Sequence, residues 1–232
     1  MKSLRVGIYN LTGCEGCSLQ LLNTIFMEEE ILEHIDVFGH LIDSDKVRDA
    51  DVAFIDGAIV TKHDEELVKE VRKKSKLVVA LGTCASIGGI NAMAEILGFE
   101  EGLKTVYIDR LEIEHLNSIK PLDRIINIDY VIPGCPPNTD EIKRFLMSMI
   151  LNKKFILPDS SVCAECRALG LRCFLKRGLA CLGVLTRAGC NAQCVRYGLP
   201  CWGCRGLLEE ITMESIVEAY RSHNITIDEV RR

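Results

Sequence analysis

The chain has 232 residues, 48% of them apolar, with 28 Lys and Arg against 33 Asp and Glu and a net charge of -5. That length allows one large domain, or one domain plus a small one, with a real core. No apolar run is long enough to span a bilayer. The first apolar run has neither a basic leader nor a small-residue cleavage site, so the expectation is a soluble cytoplasmic protein.

Arg5-Val6-Gly7-Ile8-Tyr9-Asn10-Leu11 reads as a first strand. Residues 18–29 read as a helix with Leu21, Leu22, Ile25 and Phe26 on one face. Between them stands Cys14-Glu15-Gly16-Cys17, at the turn where an α/β protein would hold a nucleotide's phosphate. Two thiols take that place here. Val52-Ala53-Phe54-Ile55 reads as a buried strand ending at Asp56-Gly57. Thr61 and Asp64 then form a capping pair for a helix carrying Leu67, Val68 and Val71. Leu77-Val78-Val79-Ala80-Leu81 is the clearest parallel strand, and it ends at Gly82-Thr83-Cys84. Tyr130-Val131-Ile132 ends at Pro133-Gly134-Cys135-Pro136-Pro137. Asn138, with Glu141 three residues on, caps a helix showing Ile142, Phe145, Leu146, Met149 and Ile150 at helical spacing.

Strands alternating with helices imply a parallel sheet covered on both faces. The expectation is a flavodoxin-like α/β domain over residues 1–150. Cys14, Cys84 and Cys135 each follow a different strand. The carboxyl ends of parallel strands share one edge, where open α/β sheets bind ligands. Cys14, Cys17, Cys84 and Cys135 are therefore expected to meet there. The bland alternative makes Cys84 and Cys135 buried core thiols. Asp56 ends a strand at the same edge. It is either an acid capping the following turn or an acid beside a metal group, tuning that group or replacing a thiolate.

Residues 151–162, with Pro158-Asp159-Ser160-Ser161, read as a linker. Residues 163–232 then form a small cysteine-rich domain whose tail, with Leu207, Leu208, Ile211 and Val217, reads as an amphipathic helix. Eight of the 12 cysteines fall within 163–204, spaced C-x2-C-x6-C-x7-C and then C-x3-C-x6-C-x2-C. Reducing compartments disfavour structural disulfides, so metal binding is the first expectation. Four thiolates hold one cubane iron–sulfur cluster or one structural zinc, and the count does not choose between them. Glycines thread the segment and would let backbone N–H groups approach a cluster. Residues 163–205 carry seven Lys or Arg and one acid, Glu165. Their aromatics are too few for a nucleic-acid stacking platform. The favoured reading is cations offsetting the negative charge of thiolate-bound clusters. The histidines, His34, His40, His63, His115 and His223, show no ligand spacing.

Cys14-Glu15-Gly16-Cys17, Gly82-Thr83-Cys84-Ala85 and Pro133-Gly134-Cys135-Pro136-Pro137 resemble the three proximal-cluster motifs in small subunits of nickel–iron hydrogenases. Gly189-Cys190 and Pro200-Cys201-Trp202-Gly203-Cys204 are similar to that family's medial-cluster motif. The resemblance spans nearly the whole chain in the right order. It is nearest to the cytoplasmic group: the gamma subunit of deazaflavin-coenzyme-reducing hydrogenases, the methyl-viologen-reducing hydrogenase and the delta subunit of archaeal sulfhydrogenases. Three departures matter. Cys163 stands where membrane-bound and periplasmic relatives have a histidine ligand, and Cys194 where they have a proline. The twin-arginine leader of those relatives is not expected here. A related subunit of proton-pumping quinone reductases shares the proline-rich third motif. It has adjacent cysteines in its first motif and no eight-cysteine extension.

The resemblance implies three 4Fe-4S clusters: proximal on Cys14, Cys17, Cys84 and Cys135, medial on Cys190, Cys194, Cys201 and Cys204, distal on Cys163, Cys166, Cys173 and Cys181. An exchange of ligands between the two late clusters, as in two-cluster ferredoxins, is the alternative. It implies an electron carrier between the nickel–iron site of a separate large subunit and a flavin-containing or other acceptor subunit. It implies no nickel and no flavin in this chain, no nucleic acid and no membrane insertion. Two other functions stay open: an iron–sulfur subunit of a heterodisulfide or sulfur reductase, and a two-zinc interaction module.

Overall fold

Apolar runs pair side by side as parallel strands β1 (Leu4–Asn10), β2 (Ile35–Gly39), β3 (Ala50–Asp56), β4 (Ser75–Leu81) and β5 (Tyr130–Ile132). Their order is β2-β1-β3-β4-β5, the flavodoxin-like order. The computed structural model describes residues 3–44, 46–99, 101–102 and 114–230. The chain divides into two units, Met1–Lys154 and Phe155–Arg232.

In the first unit β3 and β4 are central and buried on both faces. Phe54, Ile55, Val78, Val79, Ala80 and Leu81 are all fully buried. Burying each large aliphatic or aromatic side chain contributes about 1.5–3 kcal/mol, so this pair is a large part of the unit's core. The helices are α1 (Gly16–Met27), α2 (Glu29–Leu32), α3 (Lys62–Lys74), α4 (Gly82–Ile87), α5 (Gly89–Leu97) and α6 (Thr139–Ile150). The expected caps form. Thr61 and Asp64 make a capping box on α3. The Asn138 side chain accepts from Asp140 N and Glu141 N on α6. Phe145 of α6 meets Phe54 edge to face at 5.5 Å, seating that helix on the sheet. Sequence reading misses β2, a short edge strand, and starts the first helix two residues late. It also reads no helix into 82–97, where the structure has α4 and α5.

The second unit has little regular structure. It contains α7 (Val162–Ala168), α8 (Gln193–Arg196), α9 (Met213–Arg221) and α10 (Ile227–Val230), joined by turns. The tail helix is shorter than the pattern Leu207, Leu208, Ile211, Val217 implies. Leu207 bridges to Thr186, and Leu208 N donates to Leu185 O at 3.0 Å. Those bonds hold 207–208 extended, and Thr212 caps α9 by accepting from Ser215 N. The buried face of α9 is Ile216 and Tyr220.

Candidate functional site

Cys14 lies just beyond β1, and Cys17 in the first turn of α1. Cys84 is in the first turn of α4, directly after β4, and Cys135 lies in the turn after β5. β1 and β3 flank the point where the strand order reverses, which is where open α/β sheets bind ligands. Short backbone contacts draw the turns together. Thr83 N donates to Gly134 O at 3.0 Å, joining the β4 and β5 turns. Gly82 has φ +86°, and a Cβ there would stand 2.3 Å from Cys17 Sγ. Only glycine lets the β4 turn pass so close to that thiol.

Asp56, the last residue of β3, is 4% exposed. Its reach goes beyond the turn that follows it. Its Oδ2 accepts from Ser18 N at 3.1 Å, across 38 positions of sequence, at the start of α1. Burial raises its pKa, while bonds from Ser18 N, the Cys17 thiol and the Gly57 backbone pull the other way. The Cys17 thiol is pushed far up, first by burial, then by the Asp56 charge, with Cys135 and Cys84 adding. Burial likewise raises Cys84, with Asp56 and Cys14 adding. Cys17 and Cys84 thus each feel other thiols of the set, and both feel Asp56.

In the second unit Cys163 and Cys166 sit one turn apart on α7, on one helix face. With Cys173 and Cys181 they line one cavity of about 790 Å3, which none of the other eight cysteines lines. A water molecule takes about 30 Å3 of liquid, so this space has room for a multi-atom group. Among the described residues no three His, Cys, Asp or Glu are placed to hold a single metal ion. The Cys166 thiol is pushed up to about 11, by burial first and then by Cys163, Cys181 and Cys173. Arg167, Arg172, Lys176 and Arg177 stand around the same cavity, so part of the basic segment gathers beside these thiols.

The later four cysteines adjoin one another. Burial raises Cys190 and Cys194, and each also feels Cys204. Cys201 rises to about 12 through burial, with Cys181 and Cys190 adding. Its backbone N–H donates to Cys181 Sγ at 3.2 Å, so the two sets touch at that bond. No disulfide joins any of the 12 cysteines. All-thiol donor sets of four, ranging from buried Cys17, Cys181 and Cys201 to exposed Cys14 and Cys135 and each including a sulfur beside a backbone N–H, fit cubane clusters.

Two residues that sequence reasoning did not single out belong here. Arg205 is 4% exposed, and its Nε donates to Arg187 O and Ala188 O at 3.1 and 3.0 Å. Glu165 reaches from α7 to the loop that carries Cys190, where Gly189 N donates to it at 2.8 Å. Glu165 had one signal, its isolation as the lone acid of a basic segment. Arg205 had none, since nothing in sequence separates a buried arginine from its six basic neighbours.

The family described as NADH ubiquinone oxidoreductase, 20 Kd subunit, matches residues 14–149. One component of the F420-non-reducing hydrogenase vhu of Methanocaldococcus jannaschii is 35% identical over 88% of this chain and 82% of its own length. The delta subunit of sulfhydrogenase 2 of Pyrococcus furiosus is 34% identical over 88% of this chain and 86% of its own. Among solved structures, a chain of an NAD+-reducing [NiFe]-hydrogenase superposes with TM-score 0.60 at 26% identity, over 68% of this chain and 96% of that one. A chain of the Dm. baculatum [NiFeSe]-hydrogenase superposes with TM-score 0.61 at 21% identity, over 88% of this chain and 95% of that one, a likeness of fold. Among the described residues no helix is long and apolar enough to cross a membrane.

Proposed function

Because the chain belongs to the NADH ubiquinone oxidoreductase 20 Kd subunit family, and within it to the small subunits of nickel–iron hydrogenases, we propose that it carries electrons through three 4Fe-4S clusters. They run between the nickel–iron site of a large subunit and a flavin-containing or other acceptor subunit. The chain is thus part of an oxidoreductase complex and itself holds neither nickel nor flavin. Twelve cysteines read as cluster ligands rather than disulfides suit the cytoplasm. The observation that carries the reading is the gathering of Cys14, Cys17, Cys84 and Cys135 from three separate turns at one sheet edge.

The clusters, when bound, supply one-electron redox chemistry. The protein's part is to hold the thiolates, exclude water and set potentials through nearby charge and N–H groups. Cys14, Cys17, Cys84 and Cys135 hold the proximal cluster. Cys190, Cys194, Cys201 and Cys204 hold the medial one, and Cys163, Cys166, Cys173 and Cys181 the distal one. The test is metal analysis of the complex purified without oxygen. About twelve irons per copy of this chain, at four per cubane, with nickel confined to a partner subunit, is the expected result. A colourless, zinc-loaded protein would refute it.

Asp56 gives a second test. Asp56→Asn removes a buried carboxyl beside Cys17, and less negative charge near a cluster favours its reduced form. The proximal midpoint potential should rise by tens of millivolts, about 59 mV being a tenfold change for one electron. The other two potentials should not move. An unchanged redox titration would leave Asp56 as the cap of α1 alone.

A third concerns the large subunit. Ile87, Ile90, Met93 and Ile96 follow Cys84 on α4 and α5 and are 49%, 69%, 52% and 85% exposed. Obligate interfaces are large and apolar, and a contiguous exposed apolar patch marks one. Expressed alone, the chain should aggregate or lack iron. The double variant Ile90→Asp, Ile96→Asp should lose co-purification with the large subunit while keeping the iron of the second unit. A stable, fully loaded lone chain would count against an obligate hydrogenase role.

A further inference from the structure

Cys190 is carried by a loop that L-residues do not adopt readily. The φ angles are +123° at Gly189, +55° at Asn191 and +48° at Ala192, and consecutive left-handed residues other than glycine need outside support. That support is one side chain. Glu165 Oε1 accepts from Gly189 N at 2.8 Å and Asn191 N at 3.2 Å, and Oε2 accepts from Ala192 N at 2.9 Å. The Cys190 thiol lies 3.8 Å from Oε2. Successive backbone N–H groups arranged in this way make a nest, a concavity that takes an anion. Glu165 stands on α7 between Cys163 and Cys166. One carboxylate therefore links the helix of the first late cysteine set to the loop of the second.

A negative charge beside a ligand sulfur disfavours adding an electron to the group that sulfur holds. The opposing charge is Arg205, buried, whose Nε donates to Ala188 O at 3.0 Å, two residues before Cys190. Cys190 thus has an anion beside its sulfur and a buried cation tied to the segment that precedes it, both contributed by this chain.

We propose that Glu165 is a positioning residue for Cys190 whose charge lowers the potential of the cluster bound there. This rests on the reading of Cys190, Cys194, Cys201 and Cys204 as one ligand set. The test is Glu165→Gln in the full complex, read by iron analysis and by redox titration of each cluster's spectroscopic signal. Glutamine keeps the shape and one acceptor oxygen and removes the charge. The expected result is full iron content with the Cys190-bound cluster shifted positive. The shift should be at least tenfold in its reduced-to-oxidised ratio at fixed potential, about 59 mV for one electron, with the proximal cluster unmoved. Full iron content with an unchanged potential overturns the inference and leaves the ligand assignment standing. A parent complex with no cluster at Cys190 takes both down. If Glu165→Gln fails to load that cluster, Glu165→Asp decides. Restored iron in this charge-keeping variant supports the inference, and loss equal to that of the glutamine variant reduces Glu165 to packing and overturns it.

Discussion

Cys84→Ala is expected to remove about four irons per chain, one cubane's worth, and to uncouple hydrogen oxidation from dye reduction. The structure makes this substitution interpretable. Cys84 lies in the first turn of α4, where alanine is a good helix former, and its side chain is half-buried. Apart from the lost cluster, the substitution itself should cost the fold about 1 kcal/mol, the centre of the distribution for point mutants. Any larger loss of thermal stability then reports the missing cluster, whose binding stabilises the folded chain, and lost iron reports lost ligation. The clusters of the second unit should keep their signals. Full iron content with normal turnover would sink the proximal assignment and return Cys84 to the status of a core thiol.

The second large effect is expected at Cys194. If the late cysteines group sequentially, Cys194→Pro leaves three thiolates at the medial site and turns that cubane into a three-iron cluster. A new three-iron signal should appear in the oxidised protein with the other two cubanes intact. Cys194 is the second residue of the short helix α8, where a missing N–H breaks no intrahelical bond. Proline does disfavour the helical conformation of Gln193 before it. Cys194→Ala, which carries no such constraint, should give the same signal. The cavity lined by Cys163, Cys166, Cys173 and Cys181 together supports this grouping. Disturbance of the distal cluster by either variant would favour ligand exchange instead.

Much of the first site was legible because its signals are local. A strand's apolar run and the glycine turn that ends it lie within ten residues of each other, and a cysteine follows. Cys14, Cys84 and Cys135 could each be placed after a strand on that basis. Parallel pairing then brings strand ends to one edge whatever the details. The bond from Ser18 to Asp56 was not legible, because it spans 38 positions and depends on β3 lying beside β1. Glycine at 82 was likewise readable as a turn residue, but its clearance from Cys17 Sγ appears only when both turns are in place.

The second unit divides differently. Its spacing groups eight thiols into two fours without any structure. It has too few regular elements for periodicity to say which way a side chain points. The tail shows the limit: Leu207, Leu208 and Ile211 carry a helical pattern, yet Leu207 and Leu208 are held by Thr186 and Leu185. A pairing with a segment distant in sequence outweighs local propensity, which is worth only tenths of a kcal/mol per residue. The sequence by itself determined the strand–turn–cysteine units, the caps of α3 and α6, and the thiol count and spacing. Each depends on neighbours within a turn or a strand. Only the tertiary structure decided that Asp56 caps α1, that four late thiols share one cavity, and that Glu165 meets the Cys190 loop while Arg205 ties down the residues before it. Those are encounters between segments distant in sequence, and their geometry exists only once the chain has closed on itself.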